Sequence, residues 1–83
     1  MQFNLTKHAE YVIKRRDIPL RSIEYVLGNP LAIEPDKVDP ALEHRLGRVA
    51  EYGNRVLRVV VNARVEPMSV ITVFWDRRAR NKL

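Results

Sequence analysis

Residues 56–63 read VLRVVVNA and form the most apolar stretch of the chain. β-Branched residues dominate this stretch, which favours a central β-strand. Alternate side chains of a strand point to opposite faces of its sheet. One face is continuous and apolar, and is formed by Leu57, Val59, Val61 and Ala63. We expect helices to pack on that face, which leaves Arg58 and Asn62 on the opposite side of the sheet.

Three further strands are predicted around this one. Gly53-Asn54 is a tight turn that connects it to a preceding strand over Leu42–Tyr52. A turn at Glu66-Pro67 leads to a last strand over Met68–Trp75. The run Leu31–Glu34 begins another strand, and the proline that follows it indicates the edge of the sheet. These turns predict an antiparallel meander of about four strands.

Two helices are predicted before the strands. Thr6 has the side chain of an N-cap for a helix that runs to about residue 16. The apolar stripe of this helix consists of Ala9, Val12 and Ile13. The sequence Asp17-Ile18-Pro19 ends it, and a second helix follows over residues 20–27. Gly28 is expected in the left-handed position that closes this second helix, so the pair forms a helical hairpin.

The predicted fold class is α+β, with an N-terminal helical hairpin packed on one face of a roughly four-stranded antiparallel sheet. We expect a single domain over residues 1–83. It consists of the hairpin at about 6–28, the meander at about 31–76 and a basic tail at 77–83. The other face of the sheet stays partly open in so small a domain, so its polar side chains are candidates for a functional site.

The charge of the chain points to a polyanionic partner. Its 83 residues include 15 Lys and Arg against 10 Asp and Glu, a formal net charge of +5. Residues 43–83 carry this excess, and most of the basic residues are arginine, which binds phosphate bidentately. The absence of cysteine excludes disulfides and Cys-based zinc sites. The sequence has neither a signal-peptide pattern nor a long apolar run, so we expect a cytoplasmic protein.

A set of polar residues is expected on the open side of the sheet, although sequence does not fix the strand register. Either the set of Arg48 or that of Val49 in the preceding strand lies beside Arg58. We favour the first set, which contains His44, Arg48 and Tyr52. Thr72 or Ser69, each with its neighbours on the last strand, completes the surface. Arginine would clamp phosphate there, and aromatic rings would stack on bases.

Such a surface carries the groups that RNA cleavage without a metal requires. His8 or His44 would move protons, and Arg48 and Arg58 would stabilise the charge on the phosphate. Arg16 is a further candidate, because it falls within the apolar stripe and must reach the helix end, a carboxylate or a phosphate. The residues expected to hold substrate are Tyr52, Thr72, Trp75, Arg77, Arg78 and Arg80.

Each of these residues also has an interpretation without chemistry. Arginine on an exposed sheet face is usually only solvated, and His8 is more often a cap or a packing residue than a catalyst. Two histidines with scattered carboxylates give no metal-ligand spacing. We therefore expect neither a metal nor a cofactor.

Several short motifs resemble those of a known family. They are Thr6-Lys7-His8-Ala9, Arg16-Asp17-Ile18, Asn29-Pro30 and Ile71-Thr72-Val73-Phe74. They resemble a family of small bacterial domains of unknown function with the pattern His-Ala-x-x-Arg-x-x-x-Arg-x-Ile. The resemblance implies a fold similar to that of the RelE/ParE toxins, a group that includes barnase- and colicin-like nucleases. His8, Arg16 and Thr72 match the polar positions of the family, whereas Val12 stands where the pattern has its first arginine.

The resemblance and the basic second half predict a toxin-like component of a bacterial toxin–antitoxin system. It would act on RNA or the ribosome as a metal-independent ribonuclease, away from membranes, with an acidic antitoxin as its partner. ParE-like members poison gyrase instead, so the fold does not decide the target. Two alternatives remain open. One is a non-catalytic nucleic-acid- or protein-binding module, which the departure at Val12 favours; the other is an interaction protein whose edge strands pair with a partner.

Overall fold

The computed structural model of the protein describes residues 2–83, which form two α-helices, five β-strands and two 3-10 helices. In chain order they are β1 (Phe3–Leu5), α1 (Lys7–Arg16), α2 (Leu20–Gly28), β2 (Ala32–Pro35), β3 (Leu42–Val49), a first 3-10 helix (Ala50–Tyr52), β4 (Arg55–Asn62), β5 (Met68–Trp75) and a second 3-10 helix (Arg77–Ala79). Neither α-helix of this described part is long and apolar enough to cross a membrane.

The strands form one mixed sheet of five strands in the order β1-β5-β4-β3-β2. The expectation of a roughly four-stranded antiparallel sheet of RelE/ParE type is therefore wrong. The additional strand is β1, which pairs in parallel with β5 through Phe3↔Met68 and Leu5↔Val70. Three residues are too few to give a periodic signal, and their partner lies near the other end of the chain. Local sequence therefore could not indicate this pairing.

β4 is the central strand, as predicted, and pairs antiparallel with β3 and β5. The preceding strand ends at Val49 rather than at Tyr52, so its predicted boundary is wrong. Residues 50–52 instead form a 3-10 helix, and Gly53 and Asn54 follow it with φ values of 69° and 60°. Asn54 donates its backbone N–H to the Val49 carbonyl at 3.0 Å, which closes this wider turn.

The helix ends follow the predicted signals with one exception. The Thr6 hydroxyl accepts the Ala9 N–H at 3.0 Å and caps α1, and α1 ends at Asp17 with a φ of 53°. The prediction that Gly28 follows α2 in a left-handed conformation is wrong, because Gly28 is the last residue of the helix. The N–H of Asn29 donates to the carbonyl of Tyr25 at 2.8 Å, so the helical ladder continues through the glycine.

The main core lies between the helices and one face of the sheet. Leu57, Val59 and Val61 are fully buried in it, which confirms that they face the helices. α1 packs on β5, and α2 packs on β3 and β4. Gly47 allows α2 to approach closely, since a Cβ at this position would lie 3.1 Å from the Val26 side chain.

We call the side of the sheet opposite the helices the outer face. In β4 it comprises Val56, Arg58, Val60 and Asn62; Ala63, predicted on the helix side, lies beyond the strand and is exposed. Ala79 of the second 3-10 helix is buried with Leu46 and Val56 in a small apolar cluster on this face. The C-terminal segment therefore covers part of the outer face.

Candidate active site on the outer face

The strand register brings the main candidate residues together. His44 lies opposite Val60, and Leu46 lies opposite Arg58. His44 and Arg58 are therefore diagonal neighbours on the same face of the sheet. Arg48 follows two positions after Leu46 and shares this face, so the favoured register is the one that the protein adopts.

A row of side chains crosses the outer face at His44. It runs from Thr72 in β5 through Val60 and His44 to Glu34 in the edge strand β2. Neighbouring strands are separated by about 4.8 Å, so the backbones at Thr72 and His44 lie roughly 10 Å apart. Val60 thus separates two polar positions that a single extended ligand could span.

Arg58 is the centre of the polar cluster. Its Nε donates to Asp76 Oδ2 at 2.7 Å. Its Nη1 donates to Glu34 Oε1 at 3.1 Å and to His44 Nδ1 at 2.8 Å. The side chain of Arg58 is 17% exposed and that of Asp76 is 9% exposed, whereas Glu34 is half-exposed. The guanidinium is therefore held from inside the protein by Asp76 and from the solvent side by Glu34.

The contacts of His44 fix its tautomer. Since Arg58 donates to Nδ1, that nitrogen is an acceptor, and the proton of the neutral ring is on Nε2. Nε2 donates to Asp36 Oδ1 at 2.7 Å. A carboxylate therefore orients the ring so that Nδ1, the nitrogen able to accept a proton, lies beside Arg58.

Asp36 is preorganised as an anion by its own loop. The backbone N–H groups of Asp39 and Val38 donate to its Oδ2 at 2.9 and 3.2 Å. These bonds, that of Asp39 foremost, together with the bond from His44, lower the pKa of Asp36 to about 2. Asp36 is therefore a carboxylate at neutral pH.

Asp76 has two roles, one for each carboxylate oxygen. Burial disfavours its charge, but the Arg58 guanidinium and the backbone N–H groups of Arg78 and Ala79 outweigh this and lower its pKa. Its Oδ1 caps the second 3-10 helix through these two N–H groups, at 2.9 and 3.3 Å, while Oδ2 binds Arg58. The same residue thus positions Arg58 and fixes the start of the C-terminal segment.

The charges of the cluster do not balance. The cluster contains one guanidinium, which contacts Glu34 and Asp76, and a third carboxylate, Asp36, which contacts the neutral ring of His44. Within residues 2–83, Nη2 of Arg58 donates no hydrogen bond. An incoming anion could therefore bind the two free N–H bonds of Arg58 Nη2, but the net negative charge of the cluster would repel it.

Arg48, the second predicted phosphate ligand, binds the C-terminal segment instead. Its Nη1 donates to the Asn54 carbonyl at 2.9 Å. Its Nη2 donates to the carbonyls of Arg80 and Leu83. In this arrangement Arg48 anchors backbone, and a phosphate would have to displace the C-terminal segment to reach it.

Tyr52 and Trp75 do not lie on the outer face. Trp75 is opposite Leu57, which is on the helix side, and the Tyr52 ring packs against it with centroids 5.1 Å apart. The placement of Tyr52 beside His44 is therefore wrong, because the chain leaves the strand at residue 50. Arg55 also lies over the Trp75 ring, with its guanidinium carbon 4.6 Å from the ring centroid.

His8, Arg16 and Thr72 meet along the free edge of β5. His8 Nε2 lies 3.3 Å from Thr72 Oγ1. Arg16 donates to the Val73 carbonyl at 3.3 Å, and Thr6 donates to the Ile71 carbonyl at 3.1 Å. Beyond the short β1, Thr6 and Arg16 thus bind backbone carbonyls of β5, whereas His8 contacts a side chain of this strand. The partner of Arg16 is therefore a backbone carbonyl of β5, and neither a carboxylate nor a phosphate was needed to explain its position.

The three tail arginines are displayed to solvent. Arg77, Arg78 and Arg80 are exposed, and within residues 2–83 their guanidinium groups donate no hydrogen bonds. The burial of Ala79 holds this segment on the outer face, so its charges lie on the same side of the protein as His44. This positive charge lies beside a cluster that is itself negative.

The carboxylates of the cluster were missed by sequence reasoning. Glu34 was placed in an edge strand and Asp76 at the end of the meander, and neither of them nor Asp36 was a candidate site residue. An Asp three residues before a small apolar residue is an N-cap signal that could have identified Asp76. The other two depend on how β2 pairs with β3, which no local pattern specifies.

Within the described residues 2–83, no group of three or more His, Cys, Asp or Glu side chains could hold a metal ion. No curated protein and no solved structure is significantly similar to the chain. One family model matches it over residues 5–75, from β1 to the end of β5, and is described as a domain of unknown function, DUF4258. The match spans both α-helices and the strands β2 to β5, so the chain belongs to the DUF4258 family.

Proposed function

We propose that the protein is a toxin-like component of a bacterial toxin–antitoxin system that acts on RNA. The observation that carries the proposal is the direct contact of His44 Nδ1 with Arg58 Nη1 at 2.8 Å on the outer face. A proton acceptor and a phosphate-binding cation lie side by side there, and Asp36 orients the ring.

The reaction we propose is transesterification of the RNA backbone. Arg58 turns its N–H from His44 to a phosphate oxygen, which frees Nδ1 to accept the proton of the 2′-hydroxyl. The 2′ oxygen then bonds to phosphorus, and the bond from phosphorus to the 5′ oxygen breaks. Arg58 stabilises the charge that grows on the phosphate oxygens. The products are a 2′,3′-cyclic phosphate and a 5′-hydroxyl.

The departing 5′ oxygen needs a proton, and His8 carries the second imidazole of the chain. It lies against Thr72, at the other end of the row that contains His44. In its protonated form it supplies the proton while His44 takes one up, so the two rings exchange states in each turnover.

The decisive experiment is incubation of purified protein with bacterial RNA in a chelating buffer. We expect fragments with 2′,3′-cyclic phosphate ends, and a loss of rate of about 100-fold or more in His44→Gln. Arg58→Gln should lose a similar factor, and Arg15→Gln, which removes a surface charge on α1, serves as the control. Intact RNA, or cleavage that His44→Gln leaves unchanged, would overturn the proposed chemistry.

Growth of a bacterial host connects this chemistry to toxicity. Induction of the protein should arrest growth, and induction of Arg58→Gln should not. Total RNA from arrested cells should be fragmented. Arrest with intact RNA and damaged DNA would assign the target to gyrase instead.

A second candidate is a nucleic-acid-binding module without chemistry. It is favoured by the engagement of Arg48 with backbone carbonyls and of Arg58 with two carboxylates. The tail arginines, by contrast, are exposed cations that a nucleic acid can reach. This candidate predicts RNA binding that weakens by about tenfold or more between 50 and 200 mM salt. It also predicts that binding survives in the double variant His8→Gln/His44→Gln.

A further inference from the structure

Glu34 differs from the other anions around Arg58. Asp76 is nearly buried and is tied to the second 3-10 helix through its other oxygen. Glu34 is half-exposed, lies on the edge strand β2, and contacts Arg58 through one oxygen at 3.1 Å. Within residues 2–83 the carboxylate of Glu34 accepts no other hydrogen bond. Of the two carboxylates on Arg58, Glu34 is therefore the one that can leave without disturbing the fold.

The position of Glu34 is the one that a phosphate would need. A phosphate binds the end of a guanidinium through one N–H from each Nη. On Arg58, Nη2 is unused and Nη1 is shared between Glu34 and His44. The Glu34 carboxylate thus occupies Nη1, one of the two nitrogens that a bidentate phosphate would use. The other nitrogen, Nη2, has no protein partner within the described residues.

We propose that Glu34 is an internal competitor that occupies the anion site of Arg58 until a phosphodiester displaces it. This inference rests on the proposed function, since it assumes that an RNA phosphate comes to Arg58. Glu34 thereby selects against weakly bound anions, because a ligand must replace its carboxylate and also tolerate Asp36 and Asp76 nearby. A single-stranded RNA segment, which also contacts the tail arginines, meets that requirement better than a free phosphate ion does.

Removal of the competing charge should strengthen RNA binding. An exposed ion pair of this kind competes weakly, so Glu34→Gln should bind RNA about fivefold more tightly than the parent. The amide keeps the shape of the side chain in β2 and does not carry the charge. Glu24→Gln is the matched control, because Glu24 is exposed on α2, on the other side of the sheet, and the change in net charge is identical.

The experiment measures fluorescence anisotropy of a labelled single-stranded oligonucleotide with 2′-O-methyl groups, which the proposed reaction cannot cleave. Full-length parent, Glu34→Gln, Glu24→Gln and Glu34→Gln/Arg58→Gln are titrated at one fixed salt concentration, after circular dichroism has shown that each is folded. We expect tighter binding by Glu34→Gln alone, and loss of that gain in the double variant.

The outcomes separate this inference from the proposed function. If the parent binds and Glu34→Gln gains no more than Glu24→Gln, Glu34 is not a competitor, and the proposed function stands. If the gain persists when Arg58 is also replaced, the carboxylate acts by general repulsion and the inference fails. If neither the parent nor Glu34→Gln binds the oligonucleotide, both the proposed function and the inference are overturned.

Discussion

The two faces of the sheet are stabilised by different interactions. The helix side is closed by apolar packing, with Leu57, Val59 and Val61 fully buried. The outer face combines a small apolar cluster around Ala79 with hydrogen-bonded charges around Arg58. Apolar packing is non-directional and loses free energy when volume is removed, whereas the charged network depends on geometry and pH. The same alternating strand therefore supplies apolar packing on one side and the centre of a charged cluster on the other.

The largest effect is expected from the helix side. Leu57→Ala should lower the free energy of unfolding by about 3 kcal/mol, through lost apolar burial and the cavity that remains. Urea unfolding followed by circular dichroism would measure this. If Leu57→Ala lowers the free energy of unfolding by less than Arg58→Met, the variant described next, the outer face and not the helix side dominates stability.

A smaller effect is expected from the centre of the outer face. Arg58→Met should cost about 2 kcal/mol at neutral pH, because it leaves the nearly buried Asp76 without its charged partner. The low folded-state pKa of Asp76 contributes stability above the ordinary carboxyl pKa of 3.8, and this contribution is lost as pH falls through the folded value. Unfolding of parent and variant from pH 5 to pH 2 should therefore converge, and a constant difference would contradict this assignment.

The hydrogen bonds of the loop beside His44 predict the pH at which Asp36 titrates. Carbon-detected NMR should place the pKa of Asp36 at about 2. In His44→Gln the midpoint should rise but stay below 3.8, because the Asp39 and Val38 N–H groups still donate to the carboxylate. The stability that Asp36 contributes is present above 3.8 and is lost as pH falls towards 2. An unshifted midpoint in the parent would show that the loop does not hold the carboxylate in this way.

The smallest effect concerns the edge of β5, where the two faces meet. Arg16→Met should cost at most about 1 kcal/mol, because Arg16 is exposed and its single bond to the Val73 carbonyl can be replaced by water. Thermal unfolding would measure the change. If Arg16→Met lowers the free energy of unfolding as much as Arg58→Met does, the bond from Arg16 to the Val73 carbonyl is essential for stability.

The sequence pattern correctly predicted the elements whose signals lie in neighbouring residues. The apolar alternation of β4, the bounds of β5 and the Thr6 cap of α1 all depend on neighbouring residues, and all three are present. β1 has only three residues and an obligatory distant partner, so it gave no such signal. The local patterns therefore predict only four strands and an antiparallel sheet.

The candidate site shows the same division. His44 and Arg58 could be placed on one face because, in two paired strands, side chains at opposite positions point to the same face of the sheet. The partners that set their charge state, Asp36, Glu34 and Asp76, come from a loop, an edge strand and a helix cap. Their distances from Arg58 depend on tertiary packing, which no pattern in the chain encodes locally. Tyr52 was misplaced for the related reason that the strand ends three residues early.

The parallel pairing of β1 with β5 also governs the order in which the chain can fold during synthesis. β1 and α1 precede the other strands of the sheet in the chain, but both pack on β5, which follows all of those strands. During synthesis β1 and α1 therefore lack their strand partner until the ribosome has produced residues 68–75. The contact of His8 with Thr72 can form only after that point.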